Sequence, residues 1–394
     1  MTNEVLQKIA SDEQNISSSN GLEPKLRFKE FDGKWSRNIL GNCCDIIMGQ
    51  SPDSSSYNNN CIGLPLVQGN ADMCERIATP QRYTSQPTKI CEAGSIILSV
   101  RAPVGTVGKT FQKICLGRGV CGITSKNIEF MYQYLLNNEN SWRHIEQGGT
   151  FTAINSDDIK SFPIILPSLP EQKKIADFLS LIDQRIEKQR QLVENLKKYK
   201  RGLLSAIFDR KLRFKDTDFS LWKNVRLSEC CLGFDNKRQP ISSELREKGT
   251  VPYYGANGIQ DYVKDYIFDG EYILLAEDGG HFDEFQTKPI AQYITGKSWV
   301  NNHAHILQAT EKDCTKYIYY ALVHKDIRKY INGSSRAKLN QEDMWQIVIL
   351  LPNLKQQIKI AQFMSSIDKI LSIGEKMLTV LEEKKQGLLQ QMFI

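Results

Sequence analysis

Residues 166–208, LPSLPEQKKIADFLSLIDQRIEKQRQLVENLKKYKRGLLSAIF, align without a gap on residues 351–393, LPNLKQQIKIAQFMSSIDKILSIGEKMLTVLEEKKQGLLQQMF. The shift is 185 and 17 of the 43 positions are identical. A match that long marks an internal duplication. The same shift extends upstream, pairing Tyr134 with Tyr319, Arg143 with Arg328, Gly148 with Gly333 and Asn155 with Asn340. The halves also begin alike. LRFKEFDGKW (26–35) parallels LRFKDTDFSLW (212–222), and the pairs Cys43-Cys44 and Cys230-Cys231 begin eight residues after Trp35 and Trp222. Between these ends the text diverges, apart from GSIILS (94–99) and GEYILL (270–275). A period this long means duplicated domains, because solenoid repeats run about 20–50 residues. The expected division is a polar tail at 1–25, a variable domain at 26–165, a shared segment at 166–211, a second variable domain at 212–350 and a second shared segment at 351–394.

The shared segment reads as a long amphipathic helix. Its apolar residues alternate at spacings of four and three: Ile175, Leu179, Ile182, Ile186, Val193, Leu196 and Leu203 in the first copy. In the second copy they are Ile360, Met364, Ile367, Leu371, Leu378, Leu381 and Leu388. That is the seam of a coiled coil. Gln189 and Gly374 interrupt it at matching places, as do Lys200 and Lys385, and such interruptions fix register. Pro170 stands near the first helix start, where proline is tolerated. About 38 helical residues make a rod of roughly 57 Å. The run Lys197, Lys198, Lys200, Arg201 reads as a solvated face.

The variable segments read as mixed α/β with many short strands, at 96–100, 164–166, 272–276 and 347–351. Turns are expected at Gly41-Asn42, Gly69-Asn70, Asn257-Gly258, Asp278-Gly279-Gly280 and Asn332-Gly333. Helices are expected at 130–143 and 316–329. The fold class is therefore α+β: two mixed α/β domains joined by two long helices that form an antiparallel coiled coil, with a pseudo-twofold repeat.

Catalytic signatures are missing from the sequence. An adenine methyltransferase needs an Asn-Pro-Pro-aromatic loop, and the chain contains no Asn-Pro. GTVGKT (105–110) has the wrong spacing for a phosphate-binding loop. AQYITGKS (291–298) lacks the first glycine, and its Gly296-Lys297-Ser298 reads as a turn before a strand at Trp299-Val300. His303 and His305 flank Ala304, on one face of a strand, without a third ligand for a metal. Asp278, Asp283 and Glu284 lack the Glu-x-Lys of a common nuclease core. No metal site and no catalytic residue are expected.

Composition bounds the partners. A formal net charge of +6 and a pI near 8.6 tolerate nucleic acid without demanding it. The ten cysteines show no CxxC and no zinc spacing, so they read as reduced, buried thiols. No apolar run approaches the roughly 20 residues of a membrane span, and the first residues lack the pattern of a secretion signal. A cytoplasmic protein is expected.

The order variable, helix, variable, helix resembles that of type I restriction-modification specificity subunits. Leu166-Pro167-x-Leu169-Pro170-Glu171-Gln172-x-x-Ile175-Ala176-x-Phe178-Leu179 resembles that family's hallmark at the domain-to-helix junction. The second copy, Leu351-Pro352-x-Leu354-x-x-Gln357-x-x-Ile360-Ala361-x-Phe363, departs from it at Lys355 and Gln356. WVNNHAH (299–305) and SSRAKLN (334–340) look like pieces of the family's target-recognition domains. The resemblance implies that each variable domain reads one half of a split site on double-stranded DNA. It implies that the paired helices space the readers and dock adenine-N6 methyltransferase subunits, to which motor-endonuclease subunits add. S-adenosylmethionine, ATP and magnesium would then sit on those partners, with no cofactor in this chain and no membrane partner. Candidate DNA contacts are Arg101, Lys109 and Arg118 in the first reader, for phosphate or guanine. In the second they are Arg336 and Lys338, with Asn257, Asn301, Asn302 and His303 for base edges. The rival readings are a stand-alone methyltransferase or nuclease, and a coiled-coil scaffold without a DNA role.

Overall fold

The computed structural model describes residues 23–146, 153–212, 214, 222–333 and 337–394. Most of the polar tail, most of the second LRFK segment and Arg336 lie outside the described residues. The chain forms two compact units, one made of Met1–Lys188 with Met377–Ile394 and the other of Gln189–Lys376. Each unit therefore takes part of both long helices, Leu169–Phe208 and Leu354–Met392.

The first unit opens on a two-stranded ribbon, Ser36–Ile39 antiparallel to Pro163–Leu166. A six-stranded sheet follows, in the order Cys44–Met48, Val120–Ser125, Ile96–Ser99, Val107–Lys109, Ile77–Ala78, Met73–Cys74. Ile96, Ile97 and Leu98 are all fully buried, which is why this strand reads as an unbroken apolar run: both of its faces meet core. Five more short strands form a second sheet. Phe393, near the end of the second long helix, fills the core with its ring against Trp35, Phe130 and Tyr134.

The second unit repeats the ribbon, Lys223–Arg226 with Val348–Leu351. Its six-stranded sheet runs Cys231–Gly233, Ala304–Ala309, Phe268–Ala276, Ala291–Val300, Lys248–Gly255, Gly258–Val263. These central strands are eight to ten residues long rather than short. Gly296-Lys297-Ser298 lies inside one of them and is no turn. Gly296 takes φ +73 and pairs with Gly270 in a ladder whose register runs through it unbroken.

Local signals repeat along with the sequence. Each Cys-Cys pair ends a one-turn helix and begins a strand, at Leu40–Cys43 and at Leu227–Cys230. Gly41-Asn42 is thus helical, not a turn. Asn155 caps Ser156–Lys160 with its side chain, while Asn340 holds the same place before Gln341–Trp345 without capping it. Phe28 packs edge-on to Phe178, and Phe214 to Phe363. The helix expected at 130–143 is two, Ile128–Asn137 and Glu139–Glu146, parted at Asn138, whose side chain donates to the Tyr134 carbonyl. The helix expected at 316–329 stops at Leu322, because the Val323 carbonyl accepts from Ile290 instead of continuing the ladder. Six cysteines are buried as expected, but Cys61 is exposed, and so is Cys74 at the end of the edge strand Met73–Cys74.

All fourteen apolar seam residues are buried or half-buried. In the second unit the helices run antiparallel: Gln189 Nε2 donates to the Gly374 carbonyl at 2.9 Å, and eleven residues on Lys200 meets Asp368 at 2.5 Å. In the first unit Lys385 meets Asp183 at 2.6 Å. These two ion pairs are one pair written twice, since 183 and 368, and 200 and 385, are each related by the repeat. Each aspartate also accepts from its own domain, from buried Gln133 at 2.7 Å or from the Tyr320 hydroxyl at 2.5 Å. Lys200 is therefore no part of a solvated face. Its side chain is 15% exposed, while Lys197 reaches Glu194 and Glu375.

The junction motif also has a physical reading. Gln172 and Gln357 are buried, and each donates back to the proline carbonyl five residues earlier, at 3.0 and 2.9 Å. That bond fixes the corner from strand to helix. Glu171, buried beside it, accepts two bonds from Arg27 and one from Trp35. In the second copy Gln356 replaces this glutamate.

Candidate nucleic-acid interface

Two strand ends in each unit lie side by side and carry the most exposed of the candidate residues. In the first unit Ser99 pairs with Val120, and the Val100 amide donates to the Gly119 carbonyl at 2.9 Å. Arg101 and Arg118 stand just beyond this last bond, on opposite strands, and both are exposed. On the other side Ile154 N–H donates to the Val100 carbonyl, and Arg101 bridges to Ala153.

The second unit repeats this frame with other side chains. Ala276 pairs with Ala304, the Glu277 amide donates to the His303 carbonyl at 2.9 Å, and Leu339 N–H donates to the Glu277 carbonyl. Asp278 bridges to Lys338 as Arg101 does to Ala153. Asp278 thus takes the place of Arg101, and Asn302 that of Arg118.

Here the strand ends floor a cleft of about 610 Å³, lined among others by Asn257, Gln260, Asp278, Gly279 and His303. Asn257 Nδ2 donates to the Gly279 carbonyl at 2.9 Å, which fixes the amide and points its oxygen elsewhere. His303 is half-buried, with Nδ1 2.5 Å from Asp278 Oδ1; a carboxylate there makes Nδ1 the donor. His303 precedes the strand Ala304–Ala309, so only His305 is a strand residue.

Beneath the cleft is a buried charge network. His305 is 1% exposed, with Nδ1 2.5 Å from Asp235 and Nε2 2.8 Å from the Leu339 carbonyl. Arg238 binds Glu277 and lies 3.5 Å from Asp235, and Lys338 Nζ lies 3.1 Å from Glu277. Burial pushes the Asp235 carboxyl up, but the bonds from His305 and Ile306 and the charge of Arg238 outweigh it and hold the group below its usual range. Glu277 is held down against burial in the same way, by Arg238 and Lys338. Asp235, Glu277 and His305 offer three ligand atoms within 4.8 Å of one another, but these carboxylates already carry cationic partners. The network stiffens the strand ends from below.

The remaining candidates fall as follows. Lys109 pairs with Glu129 at 2.5 Å and sits over the Tyr132 ring, with its side chain 15% exposed. Asn301 is 3% exposed, donates to Gln260 Oε1 and accepts from the His303 amide, so in this structure it supports its neighbours. Asn302 is exposed. Lys338 is tied to Glu277 with its side chain 48% exposed. Ser51 and Gln260, which position Arg118 and Asn301, carry no sequence signal as isolated polar residues and were not expected.

No helix among the described residues is long and apolar enough to cross a membrane. Comparison with known proteins agrees with the duplication. The family model for the type I restriction modification DNA specificity domain matches twice, at residues 33–197 and 220–383. A Methanocaldococcus jannaschii protein, provisionally named the type I restriction enzyme MjaX specificity subunit, is 38% identical over 197 residues. That match spans 48% of this chain and 46% of the relative. The type I restriction enzyme MjaIX specificity subunit of the same organism is 22% identical over 81% of each chain. In fold, the chain resembles the crystal structure of a type I restriction-modification system S subunit from M. genitalium. The TM-score is 0.63 at 18% identity, covering 95% of this chain and 99% of that one. The two matched segments together cover most of the sequence, and the chain belongs to the type I restriction-modification DNA specificity domain family, with two copies of that domain.

Proposed function

We propose that this protein is the DNA-specificity subunit of a type I restriction-modification complex, in which each domain reads one half of a bipartite site on double-stranded DNA. The observation that carries the reading is the duplicated strand-end frame with unlike side chains: Arg101 and Arg118 in one unit, Asp278, Asn302 and His303 in the other. A shared backbone with different donors and acceptors suits a pair of readers for two different sequences, since side chains at base edges set specificity while phosphate contacts only set register. A coiled-coil scaffold has no use for that divergence.

The chain itself has no catalytic role and binds no cofactor in this reading. Adenine-N6 methyltransferase subunits dock on it with S-adenosylmethionine, and motor-endonuclease subunits add ATP and magnesium. The helices supply a docking surface and the domains supply the address. The test is direct. The purified chain, incubated with DNA, S-adenosylmethionine, ATP and magnesium, transfers no methyl group and cuts nothing. With the methyltransferase subunit of its own system it directs methylation to one asymmetric split sequence. Stoichiometric methyl transfer by the chain alone, or methylation without sequence preference in the complex, contradicts the proposal.

A further inference from the structure

We infer that Arg118 reads a guanine in the half-site of the first domain; the inference rests on the DNA-specificity reading above. The residue sits in the tight turn Gly117-Arg118-Gly119-Val120, closed by the Val120 amide on the Gly117 carbonyl. Three glycines clamp that turn. A Cβ on Gly119 would lie 2.1 Å from the Gln68 carbonyl oxygen, one on Gly49 would lie 2.0 Å from the Gly117 oxygen, and one on Gly117 would lie 3.0 Å from Gln68. The backbone on either side is thus packed against backbone, with no room to shift. Ser51 Oγ then accepts from both the Arg118 amide, at 3.1 Å, and its Nε, at 3.3 Å. The side chain is exposed but oriented, and its two Nη groups bond nothing among the described residues.

A guanidinium fixed at Nε with its two-nitrogen end free is built to meet two acceptors in one plane. Guanine presents that pattern in the major groove, O6 beside N7. A phosphate also offers two oxygens to such a fork but carries no base identity, so sequence dependence is what separates the two contacts. Arg101, across the strand pair, has no carboxylate partner among the described residues and adds positive charge where the DNA backbone passes. Two further arginines of this unit are spent within the fold, Arg27 on Glu171 and Arg76 on Glu139. The second unit, with Asn302 in the place of Arg118, reads something else.

The test uses the complex with its methyltransferase subunit and maps methylation over a randomised DNA pool. In Arg118→Lys, which keeps the charge and loses the fork, discrimination at one G·C position of the first half-site falls by about 10–100-fold, the value of a bidentate pair. The other positions, the second half-site and the spacer stay as they were, and the intact second half-site reports a folded protein. Ser51→Ala, which frees Nε, gives a smaller loss at the same position. The inference is overturned if Arg118→Lys methylates the wild-type sequence with wild-type discrimination. It is also overturned if Arg118→Ala weakens binding equally on all sequences and lowers the salt slope by about one, which is the mark of a phosphate contact. A wild-type complex with no sequence preference would instead remove the DNA-specificity reading itself.

Discussion

The two strand-end sites share a backbone and differ in almost everything built on it. In the first unit the frame ends in a glycine-clamped turn that holds Arg118 out, with Arg101 opposite. In the second it ends over a cleft and rests on buried charge, where Arg238 and Lys338 neutralise Glu277, and His305 bridges Asp235 to the Leu339 carbonyl. One site is kept rigid by close backbone packing, the other by a satisfied ionic network. Both solutions leave the main-chain bonds of the frame intact, so the exposed chemistry is free to change from one unit to the other. Duplication followed by divergence at these positions alone would change an address without disturbing a fold.

The repeated ion pairs offer the largest test of that comparison. Asp183→Ala in the first unit removes the partner of Lys385 and strands the buried Gln133 amide. Asp368→Ala in the second removes the partner of Lys200 and leaves the Tyr320 hydroxyl only Ser365, at 3.4 Å. Leaving such groups unpaired costs about 1–3 kcal/mol for each aspartate, with the exposed edge of each carboxylate keeping the figure modest. Thermal unfolding of the two variants should show similar losses. A loss from one variant only would mean that the pair is structural in one unit and incidental in the other.

Acid should separate the units with a smaller effect. Asp235 and Glu277 are held below the ordinary carboxylate range, so their contribution to stability is fully present above about pH 5 and fades as the pH falls through their lowered values. The second unit should lose hydrogen-exchange protection around Ala304–Ala309 as the pH drops below about 4, and Asp235→Asn should flatten that dependence. Among the described residues the first unit shows no such buried network at its strand ends. Equal acid sensitivity at Ile96–Ser99 would contradict the distinction.

The helices were the most legible part of the sequence. A seam spaced four and three over five heptads allows one burial pattern, and the residues that form it, from Ile175 to Leu388, sit where that pattern puts them. Ile96, Ile97 and Leu98 were legible for a similar reason, as an unbroken apolar run. The sites were not, because their geometry comes from pairing between distant strands. Nothing local says that residue 101 faces 118 or that 278 takes the place of 101. The partners of Lys109 were not legible either, because Glu129 and Tyr132 lie 20 and 23 residues further on. Lys200 looked like one of a run of surface charges because Asp368 lies 168 positions away.

The central claim is that the two domains read independently. Replacing residues 212–350 with the second variable segment of another family member, and sequencing DNA methylated by the reconstituted hybrid complex, tests it most directly. The account predicts that one half-site changes to that of the donor. The other half-site should persist, because Arg101 and Arg118 are untouched, and so should the spacer, because both long helices are retained. A base pair read wrongly costs about 1–3 kcal/mol, so a true change of half-site is visible as a switch in preference, not a blur. A shift in both half-sites, or a changed spacer, would contradict two autonomous readers.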